Sequence, residues 1–406
     1  MTYRLAFLTS HVIQYQDPLF RRLAAHPDID LTVLFCSRNG AERYFDSDLG
    51  VELSWDLEML HGYRYSFLRN VSPKQRGGFW SRVNPGVVPA LIRGAYDGVI
   101  VMGWGSPTAW VAFITCRALG TPFYLNGDNS FVEDPPTIRG RLRKTMLHWL
   151  FARAAGLLTM GTLNGDFYRY FGADARRFFL VPYAIDNERF FRDSRVSPDE
   201  RAGFRLEMGL EADAVIVLFS GKLISKKRPL HVIQALENMR LGDKAAVVFM
   251  GDGEQRCMLE SYAAERGLRQ VRFLGFVNQV QMPKIYGASD VLILPSSNDP
   301  RGTVVNEAMA CGLPVVISER VGVWGEGDIV RHGENGFVVP VDDVERIAQV
   351  LDDLVGDESL RAQMGARSLE IIRTWDYERD VEGILAALRA TGRVSAKRLQ
   401  PSQQTG

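Results

Sequence analysis

Two carboxylates, Asp299 and Glu307, stand eight residues apart in LILPSSNDPRGTVVNEAMACGLPVVIS, residues 292–318. An apolar run precedes them, a polar loop holds Asp299, and a helical run starts near Gly302–Thr303 and ends near Cys311–Gly312. The free N–H groups of a helix start attract anions, and glycine suits the position just past a helix end. Carboxylates accept paired hydrogen bonds from vicinal hydroxyls. Two of them on either side of an anion-binding turn suit hydroxyl-bearing groups that flank a diphosphate. A second segment, FSGKLISKKRP, residues 219–229, turns at Gly221 and carries Lys222, Lys226, Lys227 and Arg228. Cations at a strand end can hold a diphosphate and stabilise it as it leaves. Two further strand ends carry glycines: Gly251 in FMGDGEQ, residues 249–255, and Gly275 in RFLGFV, residues 272–277. The latter glycine lets backbone approach a flat ring beside Phe276 and Val277.

In this order and spacing, the four pieces resemble the retaining glycosyltransferases of family 4, which have the GT-B fold. Lys222 and Lys227 match the family's G-[RK]-L-x(3–4)-K basic pair. DPRGTVVNEAMACG corresponds to its E-x7-E region, with Asp299 in the first acidic position and Glu307 in the second. The resemblance implies that Lys222, Lys227, Asp299 and Glu307 carry catalysis. Asp299 would contact the transferred sugar and Glu307 the ribose of a UDP-, GDP- or other nucleoside-diphosphate sugar. Gly221, Gly251, Phe276, Val277, Arg301, Gly302, Thr303 and Val304 would complete the donor site, with the base beside Phe276 and Val277. Neither a metal nor a separate cofactor is implied. The likeness is strongest over residues 215–345 and extends more faintly to 139–172 and to VPYAID. There are departures. Asp299 is one methylene shorter than the usual glutamate, and SHVIQYQDPLF after the first strand lacks the glycine loop of many members. In YLNGDNS, Asn126 and Asp128 stand where some members have a histidine. Together with His11 and Gln14 they are the acceptor-side candidates. Asp17 followed by Pro18 reads equally well as a helix entry.

Something must hold these residues in place. Apolar, β-branched runs fall at 5–9, 31–36, 65–68, 99–103, 122–126, 157–160 and 179–182, and again at 215–220, 246–250, 271–274, 291–295, 314–317 and 336–339. Helical patterns separate them. Continuous apolar strands between helices predict parallel sheets covered on both faces. The class is therefore α/β, with two tandem doubly wound Rossmann-like domains. The expected boundaries are 1–188 for an acceptor-binding domain and 200–374 for a donor-binding domain. The polar DNERFFRDSRVSPDE reads as the linker between them, a final helix at 377–390 as a return to the first domain, and 391–406 as a disordered tail. Ligands in such sheets bind beyond the carboxyl ends of the strands.

Bulk properties narrow the function. Lys+Arg and Asp+Glu are equal at 48 each, which gives no reason to expect nucleic-acid binding. Residues 1–190 carry 21 basic against 17 acidic residues, a mild basic excess. The four cysteines have no metal-binding spacing. The start lacks a signal-peptide pattern, and no apolar run spans a membrane; a cytoplasmic enzyme is expected. Asp46-Ser47-Asp48 resembles the metal-binding DxD of another glycosyltransferase fold but stands far from the other motifs. No GxGxxG follows the first strand, which argues against a dinucleotide enzyme. Residues 139–153 combine Arg139, Arg141, Arg143, Lys144 and Arg153 with Met146, Leu147, Trp149, Leu150 and Phe151. Such a helix either covers the sheet or meets an anionic membrane. The expected partners are a sugar nucleotide and a glycan, lipid-linked or small-molecule acceptor. Two other readings stay open at this point, a nucleotide-sugar 2-epimerase and a donor-binding subunit without activity.

Overall fold

The computed structural model describes residues 2–46, 51–73, 78–132 and 137–391. The expectations placed on Ser47, Asp48 and the tail from 392 lie outside these residues.

The first half of the chain supplies β1 (Tyr3–Thr9), β2 (Ile29–Phe35), β3 (Tyr44–Asp46), β4 (Val51–Leu53), β5 (Arg64–Phe67), β6 (Gly98–Met102), β7 (Phe123–Asn126), β8 (Gly156–Thr159) and β9 (Phe178–Leu180). The second half supplies β10 (Val215–Ser220), β11 (Ala245–Met250), β12 (Val271–Gly275), β13 (Val291–Leu294), β14 (Val315–Ser318) and β15 (Gly336–Val339). The strands form a seven-stranded sheet, β5-β2-β1-β6-β7-β8-β9, and a six-stranded sheet, β12-β11-β10-β13-β14-β15. Every pairing within these two sheets is parallel. β3 and β4 make a separate antiparallel ribbon, which no apolar run announces.

The parallel pattern follows from burial. All six residues of β10 and of β11 are buried, so these strands lack the in–out alternation of a half-wet sheet. Each sheet reverses its direction of winding at its centre, between β1 and β6 and between β10 and β13. The crevice at such a switch point is where open α/β sheets bind ligands.

The segment expected to be a polar linker folds into helices, Asn187–Asp193 and Pro198–Glu207. Phe190 is fully buried against the second sheet's core, and the Asn187 amide donates to the carbonyls of Ile372 and Trp375. Two adjacent aromatic residues among charged neighbours carry too little periodic signal to show this. The last helix, Tyr377–Thr391, packs against β8, β9 and the helix Asp17–Ala25 of the first sheet's half.

In that last helix the buried Asp380 carboxylate accepts the backbone N–H groups of Tyr183 and Ala184, both at 3.0 Å. Tyr183 has φ +59°, a left-handed conformation that costs about 1–3 kcal/mol and persists only when its surroundings enforce it. Burial raises the pKa of Asp380 to about 7 and that of Asp328 to about 6. Both therefore bind protons more tightly folded than unfolded. Their stabilising protonation is complete below about pH 4 and is lost as pH rises through 6 to 7. Thermal unfolding should accordingly show stability falling between pH 5 and pH 8 by a few kcal/mol. Asp380→Asn should flatten that slope, and an unchanged slope would refute the assignment.

Candidate functional site

The predicted donor residues gather at the carboxyl ends of β10, β11, β12 and β13. After β10, the chain turns at Gly221 and runs through Lys222 into a short 3-10 turn, Ser225–Lys227. After β11, Gly251 has φ +149°, and a side chain there would place its Cβ 1.9 Å from the Gly221 carbonyl oxygen. This glycine lets two strand-end turns cross in contact, which brings the basic turn over the sheet edge. Phe276, after β12, faces Trp55 from the first half at 6.5 Å between ring centroids. Asn278 donates to the Ser54 carbonyl beside them.

After β13, the loop holds Asp299 against Lys227. One Asp299 oxygen contacts the Lys227 ammonium and the other accepts the Gly302 N–H at 3.1 Å. Gly302, at φ +54°, begins the helix Thr303–Ala310. The N–H expected to meet sugar or phosphate is thus already engaged by the Asp299 side chain three residues upstream. Thr303 lines a small cleft with Tyr183, whereas Val304 leans into the core.

Glu307 sits within that helix, fully buried. One oxygen accepts the Tyr15 hydroxyl at 2.8 Å and the other the Tyr286 hydroxyl at 2.7 Å. The Ser220 hydroxyl lies 2.8 Å from that of Tyr286. Burial raises the pKa of Glu307, and the two tyrosine hydroxyls oppose the rise. Tyr15 belongs to the loop after β1, and its carbonyl accepts the Tyr377 hydroxyl at 2.9 Å. The carboxylate expected to hold ribose is therefore paired across the cleft with the other half of the chain.

The facing cavity, about 430 Å³, lies at the carboxyl ends of β1, β6 and β7. His11, Asn126 and Asp128 line it together, as do Arg82 and Trp104. Gln14 does not. It lines a second cavity of about 240 Å³ with Arg21, Arg189 and Gln279. Asp17, for its part, accepts the Leu60 N–H and the Tyr63 hydroxyl and so fixes a loop. Arg301, expected beside the donor, reaches over the cleft into the first cavity. Its guanidinium lies 3.5 Å from the Tyr183 ring centroid, and its Nε is 3.7 Å from Asp128. That Nε is buried without a hydrogen-bond acceptor. Ser130 donates to the Pro300 carbonyl, and Asp328 accepts the Thr162 N–H, so the two edges meet at several points. Among the described residues no cluster of three His, Cys, Asp or Glu could hold a metal ion.

Sequence reasoning missed Tyr15, Arg82, Tyr183 and Tyr286. Tyr15 and Tyr183 lie in segments it marked, SHVIQYQDPLF and VPYAID, but nothing in the sequence says what their side chains touch. Arg82 and Tyr286 carry no local signal at all.

Residues 204–370 match the family model of glycosyl transferases group 1. An uncharacterised glycosyltransferase of Methanocaldococcus jannaschii is 35% identical over 170 residues, which cover 42% of this chain and 43% of that protein. A D-inositol 3-phosphate glycosyltransferase of Xylanimonas cellulosilytica is 33% identical over 218 residues, 52% of this chain and 51% of that one. The chain thus spans about half the length of these curated relatives. Among solved structures, HepE of Anabaena in complex with UDP and glucose superimposes with a TM-score of 0.71 at 17% identity, over 96% of this chain and all of that one. The chain has the GT-B fold, two Rossmann-like domains facing each other across a cleft.

Proposed function

We propose that this protein transfers a sugar from a nucleoside-diphosphate sugar to the hydroxyl of an acceptor that carries an anionic group. One observation carries the reading. Lys222 and Lys227 follow β10, Asp299 and Glu307 follow its neighbour β13, and a cavity lined by Arg82 and Arg301 lies at the strand ends of the other sheet. In this reading the glycosidic bond to the diphosphate breaks, and Lys222 and Lys227 stabilise the charge left on phosphate. Asp299 aligns the sugar. Ribose binds Glu307 by displacing the Tyr15 hydroxyl, and the base lies by Phe276 and Val277. The likeness to family 4 adds an expectation of retained configuration.

The acceptor class follows from Arg82 and Arg301. Two guanidiniums against one Asp128 give the cavity a positive balance. The unsatisfied Nε of Arg301 favours an oxygen-rich ligand, because a buried donor without an acceptor is costly. The D-inositol 3-phosphate named for one relative is an acceptor of this chemistry.

The test is a panel of UDP- and GDP-sugars with phosphorylated and unphosphorylated acceptors. Donor turnover that rises only with the anionic acceptors is expected. Arg82→Met should raise the acceptor KM about tenfold or more, as expected for a lost charge-assisted contact, and leave slow donor hydrolysis unchanged. Sugar-nucleotide conversion to free nucleotide and an epimerised sugar, without an acceptor, would refute transfer. Equal use of neutral acceptors would refute the anionic class alone.

A further inference from the structure

The helix Ile138–Arg153 has two apolar sides. Leu147, Leu150 and Phe151 are buried in the core of the first sheet. Ile138, Leu142, Met146 and Trp149 follow one another at helical spacing on the opposite side. Ile138 and Leu142 are 86% and 68% exposed. The sequence left open whether the apolar face covers the sheet or meets a membrane; the helix has a face for each.

The outward stripe does not stand alone. Trp149 stacks on Trp110 of the neighbouring helix Pro107–Leu119, which exposes Val111, Ile114 and Leu119. That helix packs beside Val87–Gly94, which exposes Ile92. Monomeric proteins rarely leave bulky apolar side chains exposed in such an extended group.

Charge provides the second observation. The three helices, VVPALIRG, PTAWVAFITCRAL and IRGRLRKTMLHWLFAR, contain seven basic residues and no acidic one. The whole chain is balanced at 48 of each sign. Arg93, Arg117, Arg139, Arg141, Lys144 and Arg153 are exposed. The excess thus sits on the same elements as the apolar stripe.

We infer that this three-helix face docks the protein on the surface of an anionic lipid bilayer. Both properties match that occupant. Isoleucine, leucine and methionine enter the acyl boundary, tryptophan suits the headgroup level, and arginines and lysines meet anionic headgroups. No helix among the described residues is long and apolar enough to cross a membrane, so the contact is peripheral. The face also adjoins the cavity. Helix Pro107–Leu119 starts at Ser106 on the cavity wall, and exposed Trp80 lies two residues before Arg82. A docked molecule would hold that cavity near the bilayer surface. The docking proposal stands independently of the transfer reaction.

The test is flotation of the full chain with phosphatidylcholine vesicles, with and without phosphatidylglycerol, at low and high salt. Binding is expected only with phosphatidylglycerol and should fall at high salt. The paired substitution Arg139→Glu with Arg141→Glu should reduce bound protein tenfold or more. Ile138→Ser with Leu142→Ser should weaken it and abolish the blue shift of tryptophan fluorescence on vesicle addition. All four positions are exposed, and circular dichroism should show native spectra for both variants. Failure of the wild type to float with phosphatidylglycerol at low salt overturns the proposal, as does equal binding by the variants. A concentration-dependent dimer that the same substitutions dissociate, without vesicle binding, would assign the face to a second copy instead and also overturn it.

Discussion

Lys227→Ala is expected to lower donor turnover by about a hundredfold or more, the loss usual for one charge-stabilising donor aimed at a developing anion. Lys227 lies at the end of the turn after β10, and its ammonium contacts the carboxylate of Asp299 from the loop after β13. Both side chains are mostly buried. Removing the lysine has two consequences with the same sign. The leaving diphosphate loses a cation, and Asp299 is left as an uncompensated negative charge near the place where negative charge develops. Asp299→Asn separates the two, because it removes the carboxylate's charge and leaves an oxygen to accept the Gly302 N–H. If Lys227 acts on the leaving group, kcat for donor hydrolysis and for transfer should fall together in Lys227→Ala. Asp299→Asn should lose less. Near-wild-type hydrolysis by Lys227→Ala, with native unfolding behaviour, would show that the turn after β10 is not the diphosphate site.

The second large effect falls on Glu307. Its carboxylate is fully buried and held by two tyrosine hydroxyls, one from each side of the cleft. Glu307→Ala leaves both hydroxyls without their acceptor and a void among core residues. The cost should be about 3 kcal/mol or more, from lost charge-assisted hydrogen bonds and the cavity combined. Glu307→Gln keeps the shape and one acceptor, and Tyr286 can turn to Ser220, so about 1 kcal/mol is expected. Both variants should lose donor binding, measured as a raised KM. Tyr15→Phe should act the other way. It frees the Glu307 oxygen that ribose is proposed to use, so the donor KM should fall even though the protein is slightly less stable. A rise in donor KM for Tyr15→Phe would mean that the hydroxyl helps hold the nucleotide rather than competing with it. Denaturant unfolding alongside donor kinetics separates the structural loss from the functional one.

The central strands of both sheets were legible because a strand buried on two faces must be apolar throughout, as IVLF within β10 and VVF within β11 are. The turns after them were legible because glycine and lysine placed just past a strand end serve local geometry and charge, and both are local in sequence. The helices at 187–207 were not, since Asn187 and Phe190 are held by distant residues such as Ile372 and Trp375, and the β3–β4 ribbon has only three residues per strand, too few to show a pattern.

For the site the division is the same. Local pattern marked Lys222, Lys227, Asp299 and Glu307 one by one, each just past a buried strand, and the pairing of β10 with β13 is what sets Lys227 against Asp299. Only the tertiary structure decided what those groups face. Tyr15 meets Glu307 across 292 positions of chain, and Arg301 leaves its own sheet for the cavity of the other. It also decided that the Ile138–Arg153 helix turns a second apolar side outward. Periodicity records that a side chain is apolar and on which face of its helix it stands. What covers that face depends on which distant element packs there, and that is set by the assembled core rather than by neighbours along the chain.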